Sequence, residues 1–241
     1  MTAIYAIGDI HGQFEMMADA LEWIEADGGP DARVVFLGDY VDRGPDSFRV
    51  LEMLCRGIDE GRDWIPLLGN HDRMFRRFLD MGELHDPRIL SGKSWLHPNL
   101  GGRDTLASYG LEVEGEDPPV TPVLADARDA VPAHHRKLLS ALALCHAEAG
   151  KFFVHAGVRP GTALSEQSED DLIWIREPFL SWKDPFEALI VHGHSPIDAP
   201  VHYGNRVNLD SGAGYGQPLS AAVFDGDEVF TLGPFGRASL A

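Results

Sequence analysis

Cysteine is nearly missing from this chain: 241 residues carry only Cys55 and Cys145, and neither belongs to a Cys-x-x-Cys pair. Two thiols do not make a disulfide scaffold, and a thiolate-type structural zinc site is disfavoured. Cys55 falls in a helical run over 48–58 and Cys145 in one over 137–147, so both read as buried free thiols. Long hydrophobic runs are absent as well, so no stretch has the length of a transmembrane helix. The start, Met1-Thr2-Ala3-Ile4-Tyr5, leads directly into the first polar motif without a basic n-region, and the expected compartment is the cytoplasm. Basic side chains are scarce, with 20 Lys and Arg against 38 Asp and Glu, for a net charge of −18. Such a field repels nucleic acid and acidic membrane surfaces, so neither is an expected partner. It leaves a phosphorylated substrate open, because bound divalent cations reverse the potential locally. There are no internal repeats and no low-complexity tract.

What is present suits an enzyme. A 44% hydrophobic fraction supports a packed core, and the length fits a single α/β domain over 1–241. Five polar blocks recur in order: Gly8-Asp9-Ile10-His11-Gly12, Gly38-Asp39-Tyr40-Val41-Asp42-Arg43-Gly44, Gly69-Asn70-His71-Asp72, His155-Ala156-Gly157 and His192-Gly193-His194-Ser195. Each follows an apolar, strand-like run. Strand-end loops are where α/β folds build their sites.

In the first half, strands over 3–7, 34–37 and 64–68 alternate with helices over 14–25, 48–58 and 71–79. That alternation implies crossovers and a largely parallel sheet. Residues 80–132 break the pattern with six prolines and an acidic stretch, Glu112–Asp117, and read as an insertion or cap of loops and short helices. A helix is expected over 133–147. The tail from Ala188 is strand-rich, with strands over 201–203, 206–209, 221–224 and 229–232, and Asp225-Gly226 signals a hairpin between the last two.

Asp9 and His11, two apart on an extended strand end, would present a carboxylate and an imidazole on one side. Asp39 can bridge two cations about 3.5–4 Å apart, the spacing of two-metal hydrolytic sites. Arg43 can hold phosphate oxygens bidentately. Asn70 and His71 are adjacent, so on an extended segment they face opposite ways. Asn70 offers a neutral oxygen ligand, and His71 is then free to act as a general acid, its ring held by Asp42 or Asp72. His155 and His194 complete the ligands. Six ligands without a thiolate suit Mn, Fe, Co or Zn better than Ca.

These blocks resemble the phosphoprotein phosphatase branch of the calcineurin-like metallophosphoesterases. Two further segments are similar to bacterial and bacteriophage lambda serine/threonine phosphatases: Ile173-Trp174-Ile175-Arg176-Glu177 and Asn208-Leu209-Asp210-Ser211-Gly212-Ala213. The likeness extends from residue 3 to about 225 and is weakest over 80–132. It implies an α/β four-layer sandwich, two mixed β-sheets flanked by helices, with a small cap insertion. It also implies two divalent ions, manganese first. Asp9 and His11 would bind one, Asp39 would bridge, and Asn70, His155 and His194 would bind the other. His71 would protonate the leaving oxygen, oriented by Asp42, and Arg43 and Arg176 would hold phosphate. A metal-bridging hydroxide would attack in line, without a phosphoenzyme.

The expected substrates are phosphoserine or phosphothreonine proteins and small phosphate esters such as aryl phosphates. One departure stands out. Family protein phosphatases usually carry Arg before Gly-Asn-His, and this chain has Leu68, as do symmetrical dinucleoside tetraphosphatases. Dinucleoside tetraphosphates or phosphodiesters are therefore the second substrate reading, with Tyr109, Trp95 or Trp174 as candidate base-stacking aromatics.

Overall fold

The computed structural model describes residues 3–115 and 118–240. Glu116 and Asp117, the end of the acidic stretch, lie outside the described residues.

β1 (Ile4–Ile7) is buried along its whole length. α1 (Phe14–Gly28) returns with Met17, Ala20 and Ile24 inward. β2 (Arg33–Phe36), α2 (Ser47–Asp59), β3 (Trp64–Pro66) and α3 (Asn70–Met81) continue the alternation. Residues 82–101 form neither helix nor strand. α4 (Gly102–Ser108), α5 (Val120–Ala130) and α6 (Ala133–Ala141) follow. Then come β4 (Cys145–Glu148), β5 (Lys151–Val154), α7 (Glu169–Trp174) and β6 (Leu189–His192). β7 (Val201–His202), β8 (Arg206–Asn208), β9 (Ala221–Asp225), β10 (Glu228–Gly233) and β11 (Gly236–Ser239) close the chain. Among the described residues, no helix is long and apolar enough to cross a membrane.

The strands form two sheets, ordered β11-β10-β9-β1-β2-β3 and β4-β5-β6-β8-β7. β1, β2 and β3 are mutually parallel, as are β5, β6 and β8, while every other pairing is antiparallel. The parallel sheet expected from the alternation thus holds at one end of the first sheet, β1-β2-β3, and at the centre of the second, β5-β6-β8. Antiparallel pairings supply the rest: the two-residue turns Gly226-Asp227 and Ala149-Gly150 join β9 to β10 and β4 to β5, and such turns can join only antiparallel neighbours.

Alternate residues of β1 serve two interiors. Ile4 and Ala6 join Val35, Leu37, Phe153, Val191 and Val207 between the sheets, whereas Tyr5 and Ile7 face the helices. A strand buried on both faces needs the near-continuous apolar run seen over 3–7. The result is an α/β fold of two mixed sheets flanked by helices.

One expected element divides. The helix read over 133–147 stops at Ala141, and Cys145 begins β4 instead, with Cys145 opposite Val154. Between them, the Leu68 N–H donates to the Ala143 carbonyl at 2.7 Å and the Ala143 N–H to the Pro66 carbonyl at 3.2 Å. Backbone pairing with β3 and β5 overrides the helix preference of an Ala- and Leu-rich run.

Candidate active site and metal centre

The polar blocks leave the C-terminal ends of β1, β2, β3, β5 and β6. Among the described residues, six non-glycine residues have positive φ, and five of them lie in these blocks: His11, Asp39, Asp42, Arg43 and His194. Such strain persists only where the surroundings over-determine it. Here the first two loops are bonded to each other: the Ile10 and His11 N–H groups donate to the Asp39 carbonyl at 3.1 and 2.7 Å, and Gly12 N–H donates to Tyr40 at 2.8 Å. Asp9 and His11 therefore reach the site from a turned loop, with His11 at φ 47°, rather than from an extended strand end. Gly193 is required by close approach, since a Cβ there would stand 2.0 Å from Asp9 Oδ1.

Three imidazoles present lone pairs inward. His11 Nδ1 donates to the Val41 carbonyl at 2.8 Å and His155 Nδ1 to the Leu37 carbonyl at 2.8 Å. Those bonds leave each Nε2 facing the same oxygen, Asp39 Oδ2, at 3.5 Å from either side. His155 Nε2 also lies 3.0 Å from Asn70 Oδ1. At His155 Nε2, Asp39 Oδ2 and Asn70 Oδ1 three acceptors thus converge with no proton among them, an arrangement a cation resolves. His194 Nε2 is buried without a hydrogen-bond partner, while its N–H donates to the Asp9 carboxylate at 3.0 and 3.2 Å. Burial holds the His11, His155 and His194 imidazoles below the ordinary range, so each is neutral and able to ligate near pH 7. The Asp9 carboxyl is pushed well up by burial, with Asp210 and Asp39 adding repulsion. Bound cations reverse that penalty. His11, Asp39 and His71 form one cluster able to hold a metal, and Asp39, His155 and His194 form a second. The donor set fits divalent ions.

Asn70 and His71 differ from the extended reading: both sit in the first turn of α3. They still diverge, because successive helical residues point about 100° apart. The Asp42 and Asp72 alternatives separate cleanly. Asp42 Oδ2 is 2.6 Å from His71 Nδ1. Asp72 accepts from the Gly69, Asp39 and Tyr40 backbone N–H groups at 2.9, 2.8 and 2.9 Å, fastening the second block to the third.

A cleft of about 330 Å³ gathers Asp9, His11, Asp39, Arg43, Asn70, His71, Arg176 and His194. His155 and Asp42 stand behind it, fully buried. Arg43 donates from its two terminal nitrogens to His11 Nε2 at 2.5 Å and His71 Nε2 at 3.0 Å. Arg176 is braced by the His194 carbonyl at 3.1 Å and Ser195 Oγ at 3.2 Å. Leu68 does not line the cleft; it is 1% exposed and packed in the core. His192, the first histidine of its block, is likewise buried away from it.

Of the aromatics read as possible base platforms, only Trp174 lines the cleft. Trp95 is fully buried, and Tyr109 packs edge-on to Phe48 and bonds His135 Nδ1 at 2.8 Å. Two cleft residues with polar or aromatic side chains, Asp210 and Tyr215, have no assigned role in the sequence reading. Asp210 sits inside a recognised segment, which was its available signal. Tyr215, 62% exposed with the Arg43 guanidinium 4.8 Å from its ring, carried none.

The model of the calcineurin-like phosphoesterase family matches residues 2–223, and the chain belongs to that family. Among its curated relatives is bis(5'-nucleosyl)-tetraphosphatase PrpE [asymmetrical] of Geobacillus thermodenitrificans, 25% identical over 251 residues, covering 89% of this chain and 87% of the relative. The Bacillus thuringiensis protein of that name is 26% identical over 249 residues with the same coverage. A solved structure provisionally named diadenosine tetraphosphatase aligns at TM-score 0.65 and 23% identity, covering 98% of this chain and 95% of the other. A protein serine/threonine phosphatase of Saccharomyces cerevisiae aligns at TM-score 0.51 and 17% identity, covering 98% and 76%. These two likenesses show the shared fold.

Proposed function

We propose that this family member is a dinuclear phosphohydrolase acting on phosphomonoesters, phosphoserine, phosphothreonine and small aryl phosphates among them. The observation that carries this reading is the pairing of two guanidiniums, Arg43 and Arg176, with the His71–Asp42 couple in one cleft. Asp9, His11 and Asp39 would hold one divalent ion, and Asp39, Asn70, His155 and His194 the other, with manganese the first choice. When bound, the ions supply Lewis acidity and lower the pKa of water. Arg43 and Arg176 bind the phosphoryl oxygens and offset their charge. As Arg43 turns onto the phosphoryl group it frees His71 Nε2 to take up a proton, and the imidazolium, held at Nδ1–H by Asp42, gives that Nε2 proton to the leaving oxygen. Residues 80–132 act as a cap, with Ile89 and Leu100 forming part of the cleft wall.

A second reading is hydrolysis of dinucleoside polyphosphates. It is favoured by the names of the relatives and by Tyr215, an exposed aromatic at the mouth on which a base could stack. Rates measured with manganese on a phosphoserine peptide, p-nitrophenyl phosphate, its bis-ester and a dinucleoside tetraphosphate separate the two. The monoesters should dominate, and a dominant tetraphosphate rate would reverse the order.

A further inference from the structure

The 80–132 segment reaches the chemistry through the back of the cleft as well as its wall. Asp42 is fully buried, and its carboxylate receives three side-chain donors. Oδ2 takes His71 Nδ1–H at 2.6 Å and Trp95 Nε1–H at 2.9 Å, and Oδ1 takes the Thr105 hydroxyl at 2.6 Å. The same hydroxyl oxygen accepts the Asp42 backbone N–H at 2.8 Å, so Thr105 grips the aspartate at both ends. Trp95 and Thr105 are themselves fully buried.

Both are locked to each other. The indole is stacked on Phe75 at 5.4 Å and tilted against Phe78 at 5.0 Å. Gly102 opens α4 beneath the indole, where a Cβ would stand 2.5 Å from Trp95 Cδ2, and its N–H donates to the Trp95 carbonyl at 3.1 Å. Three residues further along α4, Thr105 then points at Oδ1. Gly101, at φ 89°, lies against the Arg43 backbone, where a Cβ would be 2.2 Å from the amide nitrogen.

We propose that Trp95 and Thr105 are positioning residues for proton donation: they fix the rotation of the Asp42 carboxylate so that it holds the protonated His71 ring in one orientation, Nδ1–H on Asp42 and Nε2–H toward the cleft. The proposal rests on the reading of His71 as the acid. A carboxylate deprived of either donor can rotate, and the ring it holds loses its fixed orientation. The cost should fall on substrates that need the proton most. A phenoxide leaving group is strongly basic and requires protonation, whereas p-nitrophenoxide departs readily without it.

The test compares phenyl phosphate with p-nitrophenyl phosphate on the manganese-loaded full chain. Thr105→Val keeps the shape and removes the hydroxyl, Trp95→Phe keeps the stacking and removes the N–H, and Thr105→Ser restores a hydroxyl. Thr105→Val and Trp95→Phe should each lower kcat on phenyl phosphate about tenfold or more while p-nitrophenyl phosphate changes less than about threefold, with KM and bound metal unaltered. Thr105→Ser should recover most of the phenyl phosphate rate. Equal losses on the two esters, or a serine variant as impaired as the valine one, would overturn the proposal and leave the pair as packing. If Trp95→Phe fails to fold, the valine and serine variants decide it. His71→Asn run alongside isolates the underlying reading. Should that variant lose no more rate on phenyl phosphate than on p-nitrophenyl phosphate, the acid assignment itself falls. If His71→Asn shows the larger loss on phenyl phosphate and the Thr105 variants do not, only the positioning proposal falls.

Discussion

Asp39 Oδ2 stands 3.5 Å from His155 Nε2, and the same oxygen is 3.5 Å from His11 Nε2 on its other side. Asp39 thus belongs to both of the cleft's clusters able to hold a metal. Asp39→Asn removes the charge at that shared point and should deplete bound metal at both positions together. Elemental analysis after desalting checks this, and full dinuclear occupancy in the variant would contradict the bridging role.

His71→Asn should leave metal content intact: although His71 stands in one of the clusters able to hold a metal, its Nδ1 is engaged by Asp42, and Asp9, His11 and Asp39 remain to hold that ion. The kcat should fall by about 10²–10⁴, the usual general-acid contribution. Unchanged turnover in a metal-replete variant would remove His71 from the chemistry.

Arg176 lines the cleft but touches the metal cluster only through the His194 carbonyl. Arg176→Ala should therefore spare the metals and raise KM or lower kcat about tenfold or more, the loss expected for a charge-assisted phosphate contact. Steady-state kinetics matching those of the unaltered chain would exclude it from substrate binding.

His192 offers a pH test separate from catalysis. Burial drives its imidazole down to about 3, and its Nε2 has no partner. With the folded-state pKa below that of the unfolded chain, the unfolded form takes up the proton first on acidification. The stability it contributes is present above about pH 6.5 and is lost as pH falls toward 3. In metal-free protein, His192→Gln should flatten the dependence of unfolding free energy on pH by up to about 1.4 kcal/mol per pH unit between about pH 5 and 6. Urea titrations at several pH values measure it, and parallel profiles would show that His192 does not titrate on unfolding.

The polar blocks were legible because each combines a strand-like run with residue types that only a site requires. The local geometry within them was not. Asp9-x-His11 read as an extended pair, yet His11 turns to a positive φ because its loop is bonded to the Asp39 carbonyl, 28 positions away. Asn70 and His71 read as extended and prove to begin α3. Both errors treated a loop as a continuation of its strand. The helix expected through Cys145 failed for a related reason, since the partners that convert it to β4 lie in β5 and β3. Leu68, which read as a gap in the phosphate site, proves to be a core residue.

What the sequence alone determined was the set of candidate site residues, their order and the strands that carry them, because these follow from periodicity and side-chain chemistry over a few neighbouring positions. The tertiary structure decided which acid serves which base. Asp42 and Asp72 are equivalent candidates in the sequence, and only the folded loops put one on the His71 ring and the other on three backbone amides. The fold also decided that Trp95 and Thr105, from the least recognisable segment, converge on Asp42. Such contacts depend on the directions of side chains 53 and 63 positions apart in the chain, which no local pattern encodes.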